Sequence, residues 1–247
     1  LGKLAVQSLE TYAANFVEFA NAMWLKGCDT LPIYEDAIAE LEFKLIENPE
    51  KIKSKNFPAW FAWTIYNRTI EKLKREPVED FRIDFEDGYG IRSNEEEDSH
   101  AILASNELAK AFNNHTITTF CGFRIKSFQT ETYARSVRTL DQFLSNLVEK
   151  TNGVLPENFV VTLPKITRAE EVTVLDELLS EFERQRKLPN DSVKIEIMIE
   201  TPEAIFITQK LANAAKHRLV AAHFGAYDYT ASFGITAVHQ HLKHPVC

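Results

Sequence analysis

The sequence predicts an α/β fold: a (β/α)8 TIM-type barrel, incomplete in this chain, with an open doubly wound parallel sheet as the alternative. Three observations lead there. After Pro77, five short apolar runs follow one another, each trailed by a helical stretch. Several of those stretches open on recognisable helix-start signals. In the fourth run, one face is apolar and the other partly charged. Repeated β-then-α argues for parallel strands joined by crossover helices. A central strand of a doubly wound sheet is apolar on both faces. A barrel strand turns one face to the helices and the other to the interior, where charges can meet at the mouth.

The elements follow in order. Residues 1–76 read as a mainly helical N-terminal region packed on the barrel, residues 77–247 as barrel units, and 1–247 as one domain. Leu9, Tyr12, Phe16, Phe19, Ala20 and Met23 recur at helical spacing, Tyr34 to Glu47 gives another helix, and Trp60, Trp63, Tyr66, Ile70 and Leu73 form a stripe after Pro58. These aromatic stripes read as core. The five apolar runs are Phe81–Phe85, Phe120–Ile125, Phe159–Leu163, Val193–Ile199 and Leu219–Phe224. Ser93 with Glu96, and Thr167 with Glu170, match the capping box. Thr201 before Pro202 is an N-cap followed by proline at the first helical position.

Composition narrows the function classes. The chain has 247 residues, 45% of them hydrophobic, enough for a sizeable core. A formal net charge of −8 disfavours a nucleic-acid partner. No apolar run approaches the roughly 18 residues of a membrane span, and no signal-peptide pattern is present. Cys28, Cys121 and Cys247 make neither a disulfide framework nor a metal-binding pair, which suits a reducing cytoplasm. The start at Leu1 and the five visible strands lead to the expectation of a fragment of a longer chain. His239, His241 and His244 lie close together, without acidic neighbours, and read as a solvated face. Asn67-Arg68-Thr69 matches a glycosylation triplet inside a helix and is discounted. The acidic run Glu95–Asp98 suits a first helical turn.

Charge gathers at the strand ends. The first run ends Asp84-Phe85-Glu86-Asp87-Gly88, with Asp84 and Glu86 on one face by strand alternation. The second places Arg124 and Lys126 on one face. The third ends at Lys165, the fourth at Glu200, and the fifth is followed by Asp228. Each charge alone has a structural explanation, as cap, dipole partner or surface residue. Together they mark the C-terminal end of the strands, where parallel α/β folds build active sites. Asp84, Glu86, Asp87, Glu200 and Asp228 outnumber Arg124, Lys126 and Lys165 by five to three. Unpaired buried carboxylates are costly, so one divalent cation balances the set. Hard oxygen donors favour Mg²⁺ or Mn²⁺ over Zn²⁺. Glu200 and Asp228, on consecutive strand ends, are the candidate metal ligands.

The ordered motifs DFEDG, FRIK, TLPK, IETPEA and FGAYD, from about Phe81 to Gly234, resemble the citrate lyase beta-subunit and HpcH/HpaI aldolase family. These are phosphoenolpyruvate/pyruvate-type barrels. This chain looks like a branch with a helical N-terminal region. The resemblance implies a Mg²⁺-dependent lyase or aldolase that works through the enolate of a 2-oxo acid or an acyl-CoA-derived acid. It implies Glu200 and Asp228 as metal ligands, and Arg124, Glu86 and Asp87 as the catalytic set. Arg124, Lys126, Lys165, Thr201 and Asp84 are the substrate-binding candidates. Lys126 departs from the asparagine usual two residues after the family's arginine, which suggests a more anionic substrate or a partner for Glu86. The family's barrels have eight strands, which adds to the expectation of an incomplete barrel here. A homo-oligomer is also expected, with no nucleic-acid or membrane partner. The competing expectation is a non-catalytic metabolite-binding or scaffolding protein on the same fold.

Overall fold

The computed structural model describes residues 2–215 and 217–247. The chain divides into two compact units, Leu1–Glu79 and Asp80–Cys247.

The first unit is helical: α1 (Gly2–Tyr12), α2 (Phe16–Ala22), α3 (Glu35–Glu47), α4 (Pro49–Lys55) and α5 (Phe57–Arg75). Asparagines start three of the five helices. The Asn15, Asn48 and Asn56 side chains each accept a backbone N–H from the first turn of the helix that follows. Phe16, Ala20, Leu45, Ala59 and Ala62 form the core, and the Tyr66 hydroxyl donates to the Ala14 carbonyl at 2.9 Å. The expected stripe from Leu9 to Met23 is interrupted at residues 13–15. Tyr12 and Met23 therefore stand exposed while Phe16, Phe19 and Ala20 are buried. The short helix α4 has an Asn-Pro start but too few apolar residues to show a period.

In the second unit every strand is followed by helix, with two short helices after the fourth strand. Its elements are β1 (Asp80–Asp84), α6 (Asn94–Asn113), β2 (Phe120–Arg124), α7 (Tyr133–Lys150), β3 (Phe159–Leu163), α8 (Ala169–Arg186), β4 (Lys194–Ile199), α9 (Pro202–Phe206), α10 (Thr208–Ala214), β5 (Leu219–Phe224) and α11 (Ala226–Ser232). The strands form one parallel sheet in the order β1-β2-β3-β4-β5. The order has no reversal, the feature that marks a doubly wound sheet.

Side-chain alternation gives the sheet two unlike faces. Cys121, Phe123, Phe159, Val161, Leu163, Ile195 and Ile197 meet Leu140, Leu144, Leu147, Leu175 and Leu179 of the helices in one core. Phe123 and Phe143 stack with ring centres 4.1 Å apart. Burying each such side chain contributes about 1.5–3 kcal/mol. The opposite face carries Arg82, Asp84, Arg124, Thr162, Glu196, Met198 and His223, around a cavity of about 240 Å³. A sheet with helices on one face and charge on the other has the character of a barrel wall. No helix among the described residues is long and apolar enough to cross a membrane.

The N-terminal end of the sheet is fixed by Arg218, which is 1% exposed. Its guanidinium donates to Glu183 at 2.6 and 3.0 Å, to Asp176 at 2.7 Å and to the Val193 carbonyl at 2.8 Å. Glu183 also accepts the Asp191 and Val193 backbone N–H groups. The network ties α8 to the starts of β4 and β5, at the end of a barrel that serves stability.

The helix starts behave largely as expected. Ser93 caps α6 by accepting the Glu96 N–H at 3.2 Å. The expected box at Thr167 and Glu170 sits one residue later: the Glu171 carboxylate accepts the N–H groups of Thr167 and Arg168, both at 3.1 Å. Glu171 can do this because its Cβ lies on the buried face of α8 and its carboxylate turns back over the helix start.

Candidate active site

The C-terminal ends of β1 to β5 bring most of the expected residues together. Asp84, the last residue of β1, is saturated. Its oxygens accept Arg124 Nε at 2.7 Å, Arg124 Nη2 at 2.5 Å, and the backbone N–H groups of Glu86 and Gly88 at 2.9 and 2.8 Å. Burial pushes the Asp84 carboxyl up, but Arg124 and the two N–H groups outweigh it and hold it below the ordinary value. A Cβ on Gly88 would lie 2.5 Å from Asp84 Oδ2, so only glycine lets the loop close over the carboxylate. Asp84 is thus an orienter of Arg124, with no lone pair left for the substrate contact expected of it. The bidentate fork fixes the guanidinium plane, and Nη1 reaches toward Glu86 at 3.4 Å.

Lys165 lies at the centre. Its ammonium donates to Glu86 at 2.6 Å and to Asp87 at 2.7 Å, and Asp228 lies 3.5 Å away. Its backbone is left-handed, with φ +51°. A residue with a Cβ adopts that conformation at a cost of about 1–2 kcal/mol. In this geometry the Lys165 N–H donates to Glu200 at 2.7 Å while its side chain turns to the carboxylates of the β1 loop.

Glu200, after β4, is 1% exposed. Burial pushes its carboxyl up to about 7, with the neighbouring Asp228 carboxylate adding to the rise against the Lys165 N–H and ammonium. Glu86 is raised as well, by burial and by Asp87, against the pull of Lys165. Asp87 is lowered, because Lys165 and the Glu86 contact overcome its own burial. Asp228 sits in the first turn of α11, within hydrogen-bonding reach of Glu200. Gly225 allows that approach: a Cβ there would come within 2.6 Å of Glu200 Oε2.

Among the described residues, no group of three or more His, Cys, Asp or Glu converges as a metal cluster. Mg²⁺ needs fewer protein ligands, because it keeps waters and takes substrate oxygens beside one or two carboxylates. The buried, charge-crowded pair Glu200 and Asp228 fits that requirement and could hold such an ion.

One expected substrate contact, Lys126, lies elsewhere. Lys126 does not share the Arg124 face. The strand ends at Arg124, alternation stops with it, and the chain turns toward the helices. The Lys126 ammonium donates to the Phe85 carbonyl at 2.6 Å, pairs with Glu97 at 2.7 Å and lies 5.1 Å from the centre of the Tyr89 ring. Its partner is Glu97, not Glu86. Thr201 is occupied by structure: its hydroxyl donates to the Ile166 carbonyl at 2.5 Å and accepts the Ala204 N–H at 3.1 Å. Thr201→Ala is expected to cost about 1–2 kcal/mol of stability, read by urea denaturation, with Thr201→Ser close to wild type.

Sequence reasoning passed over three groups. Glu97 belongs to a run read as dipole partners, yet it is 1% exposed and accepts the Thr139 hydroxyl at 2.6 Å. The signal was its spacing with Ala101, Ser105 and Leu108 on the buried side of α6. Arg82, at 3.3 Å, and His223, at 3.2 Å, both face the buried Glu196 carboxylate on the inner face. Third, a cavity of about 550 Å³ opens at the end of β5, lined by Phe224, Gly225, Tyr227, His241 and Lys243 among others. His241 and His244 sit in turns, each accepting a backbone N–H two residues on, with no carboxylate between them.

Comparison with known proteins agrees with the fold. A malate synthase structure from Haloferax volcanii, native at 3 mM glyoxylate, matches with a TM-score of 0.52 at 15% identity, over 64% of this chain and 45% of that one. The same enzyme as its lead(II) complex matches with a TM-score of 0.49 at 14% identity, over 67% and 55%. The chain thus spans about half the length of these neighbours. No curated protein matches it. The model of one family, DUF6986, a domain of unknown function, matches residues 1–247, and the chain belongs to that family.

Proposed function

We propose that the protein is a Mg²⁺-dependent carbon–carbon lyase or aldolase, of the citrate lyase type, acting on a 2-oxo acid or an acyl-CoA-derived acid through an enolate. One observation carries this reading. Two crowded carboxylates, Glu200 and Asp228, stand beside a charged lysine whose ammonium also binds Glu86, the neighbour of an oriented guanidinium, at the C-terminal mouth of a parallel sheet. A divalent ion bound there would polarise the carbonyl and carboxylate oxygens of a chelating oxo acid.

The chain's own groups supply the rest. In the cleavage direction, a carboxylate takes the hydroxyl proton of the substrate. The carbon–carbon bond breaks, its electron pair passes into the enolate, and a proton then returns to that carbon. Arg124 faces the developing negative charge with its plane fixed by Asp84, so no reorganisation is needed as charge builds. Glu86, its carboxyl raised above the ordinary value by burial, is the candidate proton carrier, with Asp87 as the solvent-side relay. The cavity at the end of β5, which Gly225 and Tyr227 help to line, has room for the part of the substrate that does not react.

The test is a panel of 2-hydroxy acids and their CoA thioesters, scored for release of glyoxylate, pyruvate or oxaloacetate with Mg²⁺ or with EDTA. Glyoxylate leads the panel because it is named for the Haloferax structure. Metal-dependent release of one oxo acid is expected. Tight metabolite binding by calorimetry that ignores Mg²⁺, without turnover, would replace the lyase with a metabolite-binding protein on the same fold.

A further inference from the structure

We infer that Lys165 is a built-in competing cation, which weakens metal binding at Glu200 and Asp228 and strengthens the binding of an anionic substrate to the metal-loaded site. The inference rests on the metal reading above and adds a role for the lysine that neither the fold nor the family supplies.

Asp84 and Arg124 neutralise one another through two hydrogen bonds. That leaves Glu86, Asp87, Glu200 and Asp228 against the single ammonium of Lys165. Burial works against that ammonium, but Asp87, Glu86 and Asp228 outweigh it and hold it charged well above the ordinary lysine value. Its Nζ is 3.5 Å from Asp228, so a cation on Asp228 and the ammonium must share one carboxylate neighbourhood. Like charges at such separations oppose one another by energies that are large beside RT at a partly buried site. The backbone supports a dedicated role. Lys165 is held left-handed, and the N–H of the same residue binds Glu200. The lysine therefore touches both candidate metal ligands, one through its amide and one through its ammonium.

Two opposite consequences follow. Without the ammonium, a divalent ion at Glu200 and Asp228 meets no competing positive charge and is held more tightly. The loaded site is then more negative, and an anion entering it meets greater repulsion. A lysine that merely braced the loops would move both affinities in the same direction, or neither.

The experiment uses the intact protein and isothermal calorimetry, with MgCl₂ as the first titrant and oxalate, titrated into Mg²⁺-saturated protein, as the second. For Lys165→Met, the Mg²⁺ affinity is expected to rise about tenfold and the oxalate affinity to fall by about the same factor. Lys165→Arg, which keeps the charge, should leave both within about threefold of wild type. If the Met variant does not fold, Lys165→Gln carries the same expectation and keeps a donor for Glu86. Unchanged or weakened Mg²⁺ binding in the neutral variants, or losses of both affinities together, overturns the role of Lys165. The metal reading fails separately, and the inference with it, if wild type takes up no Mg²⁺ or if Glu200→Gln binds it equally well.

Discussion

Glu200→Gln is expected to abolish Mg²⁺-dependent turnover while making the metal-free protein more stable at alkaline pH. The two halves come from one carboxylate. Removing a partner that only supports a metal ligand costs about 10–100-fold, so losing the ligand itself should cost more than about 100-fold. The stability half follows from the buried charge. The folded-state value of Glu200 is raised from 4.5 to about 7, by burial first and then by Asp228. A carboxyl raised on folding favours the native state when it is protonated. That contribution is fully present below about pH 4.5 and is lost as the pH rises through about 7. At about 1.4 kcal/mol per pH unit, the loss is on the order of 3 kcal/mol. Glutamine carries no charge to desolvate. Its carbonyl can keep the Lys165 N–H bond, and its amide can donate to Asp228. In EDTA at pH 8, the variant should melt above wild type, and at pH 4 the two should converge. Adding Mg²⁺ should raise the melting temperature of wild type and leave that of the variant unmoved. Undiminished turnover, or a metal-induced melting shift retained in the variant, removes Glu200 from the metal site.

The same residue illustrates what a sequence can disclose. Ile195, Ile197 and Ile199 alternate with Glu196, Met198 and Glu200, and that alternation alone assigns one face of β4 to the helices and the other to the interior. The strands begin and end within a residue of the apolar runs, because each run is short and bounded by a charge or a turn. The gathering of charge at one end is legible for a general reason. Parallel strands all point their C-terminal ends the same way, so charges at the ends of separate runs must meet. Contacts that depend on chain path were not legible. Lys126 follows Arg124 at the spacing of a strand, but the strand has stopped, and the side chain swings to Glu97. Lys165 meets Glu86 and Asp87 across 79 and 78 positions, through a left-handed turn that no local pattern announces. Thr201 and Pro202 were legible as a helix start, but not the demand of the Ile166 carbonyl on the same hydroxyl.

Arg124→Met should separate positioning from catalysis at the neighbouring group. Turnover is expected to fall by about 10²–10³, the usual loss for one fixed donor to a developing oxyanion. Stability should fall too, since Asp84 is left half-buried with only its two backbone donors. The expected size is about 1–3 kcal/mol, the cost of a desolvated group without its partner. Arg124→Lys should not rescue turnover, because an ammonium cannot reproduce the two-pronged contact that fixes the guanidinium plane. The double variant Arg124→Met with Asp84→Asn distinguishes the two effects. Neutralising Asp84 removes the orphaned charge, so most of the stability should return by urea denaturation, while kcat stays at the level of the single variant. A guanidinium that only braced the β1 loop would behave otherwise, with activity returning in step with stability. Asp84→Asn alone should lower kcat less than Arg124→Met does, because the arginine remains present but loses the charged half of its fork.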